Sequence, residues 1–302
     1  MRAAMVAQGV FGNQIRGATV VITGATSGIG YETARAFAAA GANVVVAGRR
    51  KERLEELTAT IAKSGGQALG VQTDVSEFAQ VEALIARAHE RFGGLDVIVN
   101  NAGVGLAAAF ADVTLDEFRR LMDVNFWGVV HGCRAALPLM QEQRRGVIIN
   151  VASIMGKRGM PFSTAYCASK FAVVGFSEAL RTELAASNIA VSVVCPGAVE
   201  SEIWQAAGNR LGGQMPEFPK YPASQLAQVI VNDARWPQPE IVLSLDAQAI
   251  DFFNTFAPRL MDWTLSAAAP FMQALQTLQA PQSGAPGAGD SGTGNLFQPR
   301  RE

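Results

Sequence analysis

The stretch ATVVITGATSGIG, residues 18–30, decides the fold: a short β-branched run enters a turn with glycines at 24, 28 and 30, and a helical pattern continues from Gly30 to Ala40. A strand that passes through a glycine-rich turn into a helix has the outline of a nucleotide-binding unit. Glycine lets the chain turn sharply and come close to a pyrophosphate, while the free amides and positive end of the following helix favour the anion. The spacing is T-G-x-x-x-G-x-G, not the commoner G-x-G-x-x-G. Gly24, Thr26, Ser27, Gly28, Ile29 and Gly30 are the residues this turn would bring to the phosphates.

Outward from that unit, brief apolar runs alternate with helical patterns. Runs at 18–23, 43–48, 68–73, 95–100, 146–151, 189–194 and 240–245 read as strands, and Gly30 to Ala40, Lys51 to Ser64, Glu77 to Phe92, Leu115 to Gln143 and Ser163 to Ser187 read as helices. Continuous apolar strands suit a sheet buried on both faces, and βα alternation makes it parallel. The expectation is a single α/β domain over 17–245, a doubly wound Rossmann-type sheet of about seven strands, after a lead of residues 1–16. The prolines and paired glycines between Ile203 and Pro222 read as a loop of the length often used as a lid. A helical extension over 246–279 follows, broken at Pro258 and Pro270, and the Gly, Pro, Ser and Gln-rich tail 280–302 reads as disordered.

Composition narrows the function. The 302 residues are 49% hydrophobic and 17% charged with a net charge of −1, so no basic face invites nucleic acid. The three cysteines, Cys133, Cys167 and Cys195, have no C-x-x-C spacing, which argues against a disulfide scaffold or a structural zinc, and no metal site is expected. Only His89 and His131 are available to a Ser-His-Asp hydrolase, and neither stands in a supporting motif. The first seventeen residues lack a secretory apolar core and no stretch is long and apolar enough to span a bilayer, so a cytoplasmic protein is expected.

The choice of dinucleotide rests on the end of the second strand. A carboxylate there would bind the adenosine ribose hydroxyls and repel a 2′-phosphate, while an arginine would welcome it. Here the strand ends Ala47-Gly48-Arg49-Arg50, so NADP(H) is expected in preference to NAD(H), with Arg49 offering the planar fork. Solvated first-turn charges are the plainer reading of the same arginines. Asp74, after the third strand, either accepts from the adenine amino group or caps the helix beginning near Ser76.

One further grouping carries chemistry. Tyr166 and Lys170 stand four apart in YCASK, on one face of the expected helix, with Ser153 thirteen residues upstream. A phenol is a poor base at neutral pH, and a cation held beside it would lower its pKa.

TGATSGIG at 23–30, Asp74, NNAG at 100–103, Asn125, Ser153, YCASK at 166–170 and CPG at 195–197 together resemble the short-chain dehydrogenase/reductases in their short, single-domain form. The resemblance extends from about Gly17 to Leu245. It implies a carbonyl–alcohol oxidoreductase in which Tyr166 is the general acid/base and Lys170 lowers its pKa and binds the nicotinamide ribose. Ser153 would hold the substrate oxygen and Asn125 a water behind the lysine. Val75, Asn101, Ala102 and Gly103 would flank the adenosine, and Pro196, Gly197, Val199 and Ser201 the nicotinamide. Ser27 departs from the basic residue that NADP-preferring relatives often carry before the middle glycine, which leaves the NADP(H) expectation on Arg49. Homodimers or homotetramers through the helices 115–143 and 163–187 are implied as well. Apolar pocket positions, Val104, Leu106, Ile154, Met155, Phe162, Val199 and Trp204, point to a hydrophobic small-molecule carbonyl or alcohol. The alternative is a catalytically idle NADP-binding protein, a redox sensor or interaction module, and the intact Asn125, Ser153, Tyr166 and Lys170 weigh against it. A sugar-nucleotide epimerase would prefer T-G-x-x-G-x-x-G and a larger C-terminal domain.

Overall fold

The structure, a computed structural model, describes residues 15–199, 202–203 and 220–279. Ser201, Trp204, most of the expected loop and the tail from Ala280 lie outside the described residues, as does the lead before Ile15.

Seven strands form one parallel sheet: β1 (Thr19–Thr23), β2 (Asn43–Gly48), β3 (Gln67–Gln72), β4 (Val97–Asn100), β5 (Gly146–Val151), β6 (Ile189–Pro196) and β7 (Glu240–Leu243). Their order is β3-β2-β1-β4-β5-β6-β7, so the chain reverses direction across the sheet between β1 and β4. Side chains on a strand alternate between faces, and both faces here are apolar. Val20 and Ile22 pack in one cluster with Phe37 of α1 (Gly28–Ala39), Leu57 of α2 (Lys51–Lys63) and Ile230 of α7 (Ala223–Arg235). Val21, one residue out of phase, packs with Leu84 of α3 (Phe78–Phe92), Met140 of α5 (Gly128–Gln143) and Val173 of α6 (Thr164–Glu183). Helices therefore cover the sheet on both sides, the doubly wound Rossmann-type arrangement.

Three differences from the sequence reading have local causes. The expected helix 115–143 is α4 (Leu115–Met122), a π-helical turn over Asp123–Trp127, and then α5. A capping box between Thr114 and Glu117 fixes its start. Helix α7 was not anticipated. Prolines upstream suggested loop, yet Pro222 is its N-cap and Leu226, Ile230 and Ala234 recur at helical spacing along its buried side. In the extension, α8 (Leu245–Phe256) ends before Pro258 as expected, whereas Pro270 lies inside α9 (Pro258–Gln279).

Candidate active site

The residues that carry chemistry gather at the carboxyl edge of the sheet, around the point where strand order reverses, which is where open α/β sheets bind ligands. The turn after β1 is built for close approach. Gly24 and Gly28 hold left-handed backbones, φ 67° and 53°, which glycine adopts without cost. A Cβ on Gly24 would lie 2.7 Å from Ala102 Cα, and one on Gly30 would run into the Gly24 carbonyl. Helix α1 then begins at Gly28 with no side chain capping its first turn, so its free amides face the cleft. An uncapped helix start behind a glycine cradle fits a dinucleotide pyrophosphate.

The NNAG segment is locked to that turn. Thr23 Oγ1 accepts from the amides of Asn101 and Ala102 at 3.0 and 3.1 Å, and Asn101 Nδ2 donates to the Thr23 carbonyl at 3.0 Å. Asn101 therefore staples the ends of β1 and β4 together. Asp74 starts a turn, accepting from the amide and hydroxyl of Ser76 at 3.0 and 2.7 Å, while Glu77 is the N-cap of α3. Capping by Asp74 was the wrong local assignment.

At the end of β2 the guanidinium on the glycine turn is that of Arg50. It donates to Thr26 Oγ1 at 3.2 and 2.9 Å and to Ser27 Oγ at 3.0 Å, and it pairs with Glu202 at 3.0 Å. Burial alone would raise the Glu202 carboxyl, but this arginine carries it below its ordinary value. Arg49 is half-buried within the electrostatic reach of Asp74: burial lowers its pKa, Asp74 opposes that, and Arg120 and Arg50 add to it. Residue order alone could not separate the two arginines.

Tyr166 and Lys170 come together on the first turns of α6. Both are buried, and Lys170 Nζ lies 5.7 Å from the Tyr166 ring centroid. The ammonium donates to the Val151 carbonyl at the end of β5 at 3.0 Å. Burial pushes the phenol up to about 12 against the pull of a hydrogen bond from Ser153, and burial brings the lysine down to about 8. The lowering of the phenol expected from the lysine is not what sets its direction here: burial raises it, and the opposing pull comes from the Ser153 hydrogen bond. Ser153 Oγ also accepts from the Met155 amide at 3.1 Å, which fixes its rotamer.

Asn125 sits fully buried in the π turn. Its Oδ1 accepts from the Val104 amide at 2.8 Å, and its Nδ2 donates to the Val104 carbonyl at 2.9 Å and to Ser169 Oγ at 3.1 Å. A Cβ on Gly103 would lie 3.3 Å from Asn125 Oδ1 and 3.7 Å from Lys170 Nζ, so this asparagine, the lysine and the NNAG turn meet at one point. Single-turn π bulges recur at functional sites because they re-aim one side chain out of helical register.

Two features at the site were not foreseen. Phe162 holds a left-handed backbone, φ 60°, just before α6, with its carbonyl accepting from the Ala108 amide at 2.9 Å. Such strain in a bulky residue persists only where its surroundings enforce it, and here it ties the loop after NNAG to the start of the tyrosine helix. The extension also reaches the site. Gly197 follows β6, and a Cβ there would lie 2.5 Å from Ser244 Oγ. Lys157, shortly after Ser153, donates to Glu240 at 2.9 Å, and Arg158 donates to Asn254 Oδ1 at 3.1 Å. Val104, Leu106 and Tyr166 share one apolar cluster, with Met155 packed against it, and Ile154 is buried nearby.

Comparison with known proteins agrees with this geometry. The sequence profile of the short chain dehydrogenase family matches residues 18–211. The chain is 36% identical over 254 residues to "Uncharacterized oxidoreductase YxnA" of Bacillus subtilis, covering 82% of this chain and 71% of the relative. It is 36% identical over 259 residues to dehydrogenase/reductase SDR family member 7B of Rattus norvegicus, covering 82% and 79%. A crystal structure of a short chain dehydrogenase/reductase from Burkholderia phymatum in complex with NAD superposes with a TM-score of 0.75 at 28% identity, covering 82% of this chain and 96% of that one. With its sheet order, glycine turn and buried Tyr166–Lys170 pair, this chain belongs to the short-chain dehydrogenase/reductase family of oxidoreductases.

Proposed function

We propose that this protein interconverts a carbonyl and an alcohol on a hydrophobic small molecule, using NADP(H) in preference to NAD(H), with Tyr166 as general acid/base. The observation that carries the proposal is the buried Tyr166–Lys170 pair, hydrogen-bonded through the phenol to Ser153, with the lysine beside the NNAG turn. A nicotinamide dinucleotide bound at that turn supplies or takes the hydride. The protein's own part is the proton and the geometry.

In reduction, Ser153 Oγ and Tyr166 Oη both point at the substrate carbonyl oxygen, and the phenol donates its proton as negative charge builds there. A phenol held at about 12 is fully protonated at neutral pH, the state required of an acid. Lys170, at about 8, keeps its ammonium at neutral pH yet sits close enough to that range to pass a proton on. Asn125 holds the chain at Val104 in place, leaving the lysine in contact with the NNAG turn.

Support for NADP(H) comes from the absence of a carboxylate in Gly48-Arg49-Arg50 and from the Arg50 fork on Thr26 and Ser27. Gly24, Thr26, Ser27, Gly28, Ile29 and Gly30 would hold the pyrophosphate, Asp74, Val75, Asn101, Ala102 and Gly103 the adenosine end, and Pro196, Gly197 and Val199 the nicotinamide. The apolar lining from Val104, Leu106, Ile154 and Met155 favours a substrate without charge. Half-exposed Trp127 and Phe171 on the helices around the site suit a homodimer or homotetramer. No helix among the described residues is long and apolar enough to cross a membrane, and the three cysteines are unpaired, in keeping with a cytoplasmic protein. The test is NADPH and NADH oxidation against a carbonyl panel of steroids, quinones, aldehydes and keto esters. Turnover of an apolar ketone or aldehyde with NADPH is expected, and silence across the panel with both cofactors would instead favour an idle binding protein.

A further inference from the structure

We propose that Glu202 helps decide cofactor choice: its carboxylate competes with the 2′-phosphate of NADP(H) for the seat formed by Arg50 and Ser27, a role that rests on the dinucleotide site proposed above. Glu202 follows β6, whereas Arg50 follows β2, 152 residues earlier, and the two meet at 3.0 Å. The same guanidinium donates to Thr26 Oγ1 at 2.9 Å and to Ser27 Oγ at 3.0 Å. Ser27 is the N-cap residue of α1, yet its side chain does not cap the helix; its hydroxyl accepts from Arg50 and donates to the Glu202 carboxylate. A guanidinium fork and a hydroxyl at a helix start are donors that suit a phosphate. Here a carboxylate uses them.

Arg50 reaches the seat from the end of the second strand, the side of such a sheet on which the adenosine ribose of a dinucleotide lies. The 2′-phosphate is therefore the part of the cofactor that meets Glu202, and NADH has none. Two anions on one fork repel each other, so the phosphate must displace the carboxylate. A solvated surface pair is the plainer reading, since the two side chains are 46% and 43% exposed. Two observations tell against it. Burial alone would raise the Glu202 carboxyl, yet Arg50, Ser27 and Arg53 together hold it below its ordinary value. Its neighbour Ile203 packs against the cluster of Val104, Leu106 and Tyr166, which ties this point of the chain to the substrate side of the cleft. The exposure still bounds the effect, because a pair of this kind is worth at most about five-fold in a binding constant.

Fluorescence titration of the full chain with NADPH and with NADH reads the preference as the Kd for NADH over the Kd for NADPH. Glu202→Gln, which keeps the shape and removes the charge, is expected to tighten NADPH about three-fold and to leave NADH as in wild type. Glu202→Ala is expected to do the same, and neither change touches the core. In an Arg50→Gln background the gain from Glu202→Gln should shrink, because the contested fork is gone. A preference that Glu202→Gln leaves unchanged, or an equal tightening of both cofactors, would overturn the role of Glu202. So would weaker NADPH binding, the result of losing a merely structural tie, or a gain undiminished without Arg50. The wild-type value is read separately. A wild type that binds NADH more tightly would overturn the NADP(H) preference proposed above, while a rise in the ratio on Glu202→Gln would still uphold Glu202.

Discussion

Tyr166 and Lys170 are set apart by one physical cause acting with opposite signs. Burial disfavours the charged form of each, so the phenol rises to about 12 and the ammonium falls to about 8. Under the proposed roles the carbonyl reaction should then follow the lysine on its alkaline side. We expect kcat/KM for reduction to be level below about 8 and to fall as pH rises through it, while oxidation, which needs the phenol to give up its proton, gains with pH. A reduction profile flat to the onset of unfolding would contradict this. The residues themselves were legible, because four-residue spacing on a helix puts both heads on one side. The sign of the phenol shift was not, since spacing reports proximity and says nothing of desolvation. The arginines make the same point. Arg49 was the expected fork, yet Arg50 is the one on the glycine turn. Both stay within the proposed NADP(H) site, and Arg49→Asp is expected to lower the NADPH-to-NADH preference at least about ten-fold by setting a carboxylate against a 2′-phosphate. An unchanged ratio in initial-rate measurements would remove Arg49 from cofactor selection.

Elements, more than single residues, hold the site in shape. The π turn between α4 and α5 turns Asn125 inward, and no hydrophobic period distinguishes such a turn from one long helix, which is why 115–143 read as continuous. Helix α7 could have been read from its apolar stripe had Pro222 been taken as a helix start. The extension is the larger surprise. The family profile ends at residue 211, and beyond it α8 joins the catalytic domain through Asn254, which accepts from Arg158 and donates to the Lys157 carbonyl at 2.9 Å, four residues beyond Ser153. If those bonds position the Ser153 loop, Asn254→Ala should lower kcat with little change in KM, by about ten-fold, the scale on which small displacements of a reacting group act. Asn254→Asp, which keeps the acceptor for Arg158, should recover part of it. Equal kinetics in wild type and Asn254→Ala would make the contact purely structural.

For the molecule as a whole, the fold was legible because seven apolar runs in βα alternation leave few arrangements, and the glycine turn marks the first strand. Tertiary burial of polar groups was not legible, and Asp233 on α7 is the instructive case. It is 2% exposed and accepts from the Gln238 amide at 2.8 Å, yet burial raises its carboxyl to about 6. A raised folded-state value means full stability while both states are protonated, below about 4, and a loss as pH rises through about 6. The displacement corresponds to about 3 kcal/mol. Urea unfolding from pH 4 to 7 should show Asp233→Asn losing less stability than wild type across that window, and parallel curves would contradict it. The central claim, that Tyr166 moves the proton in a hydride transfer, meets its most direct test in Tyr166→Phe. With the most active carbonyl, NADPH oxidation should fall by at least about a thousand-fold, within the range for a lost general acid, while NADPH binding by fluorescence titration stays near wild type. Turnover close to wild type in that variant would contradict the account.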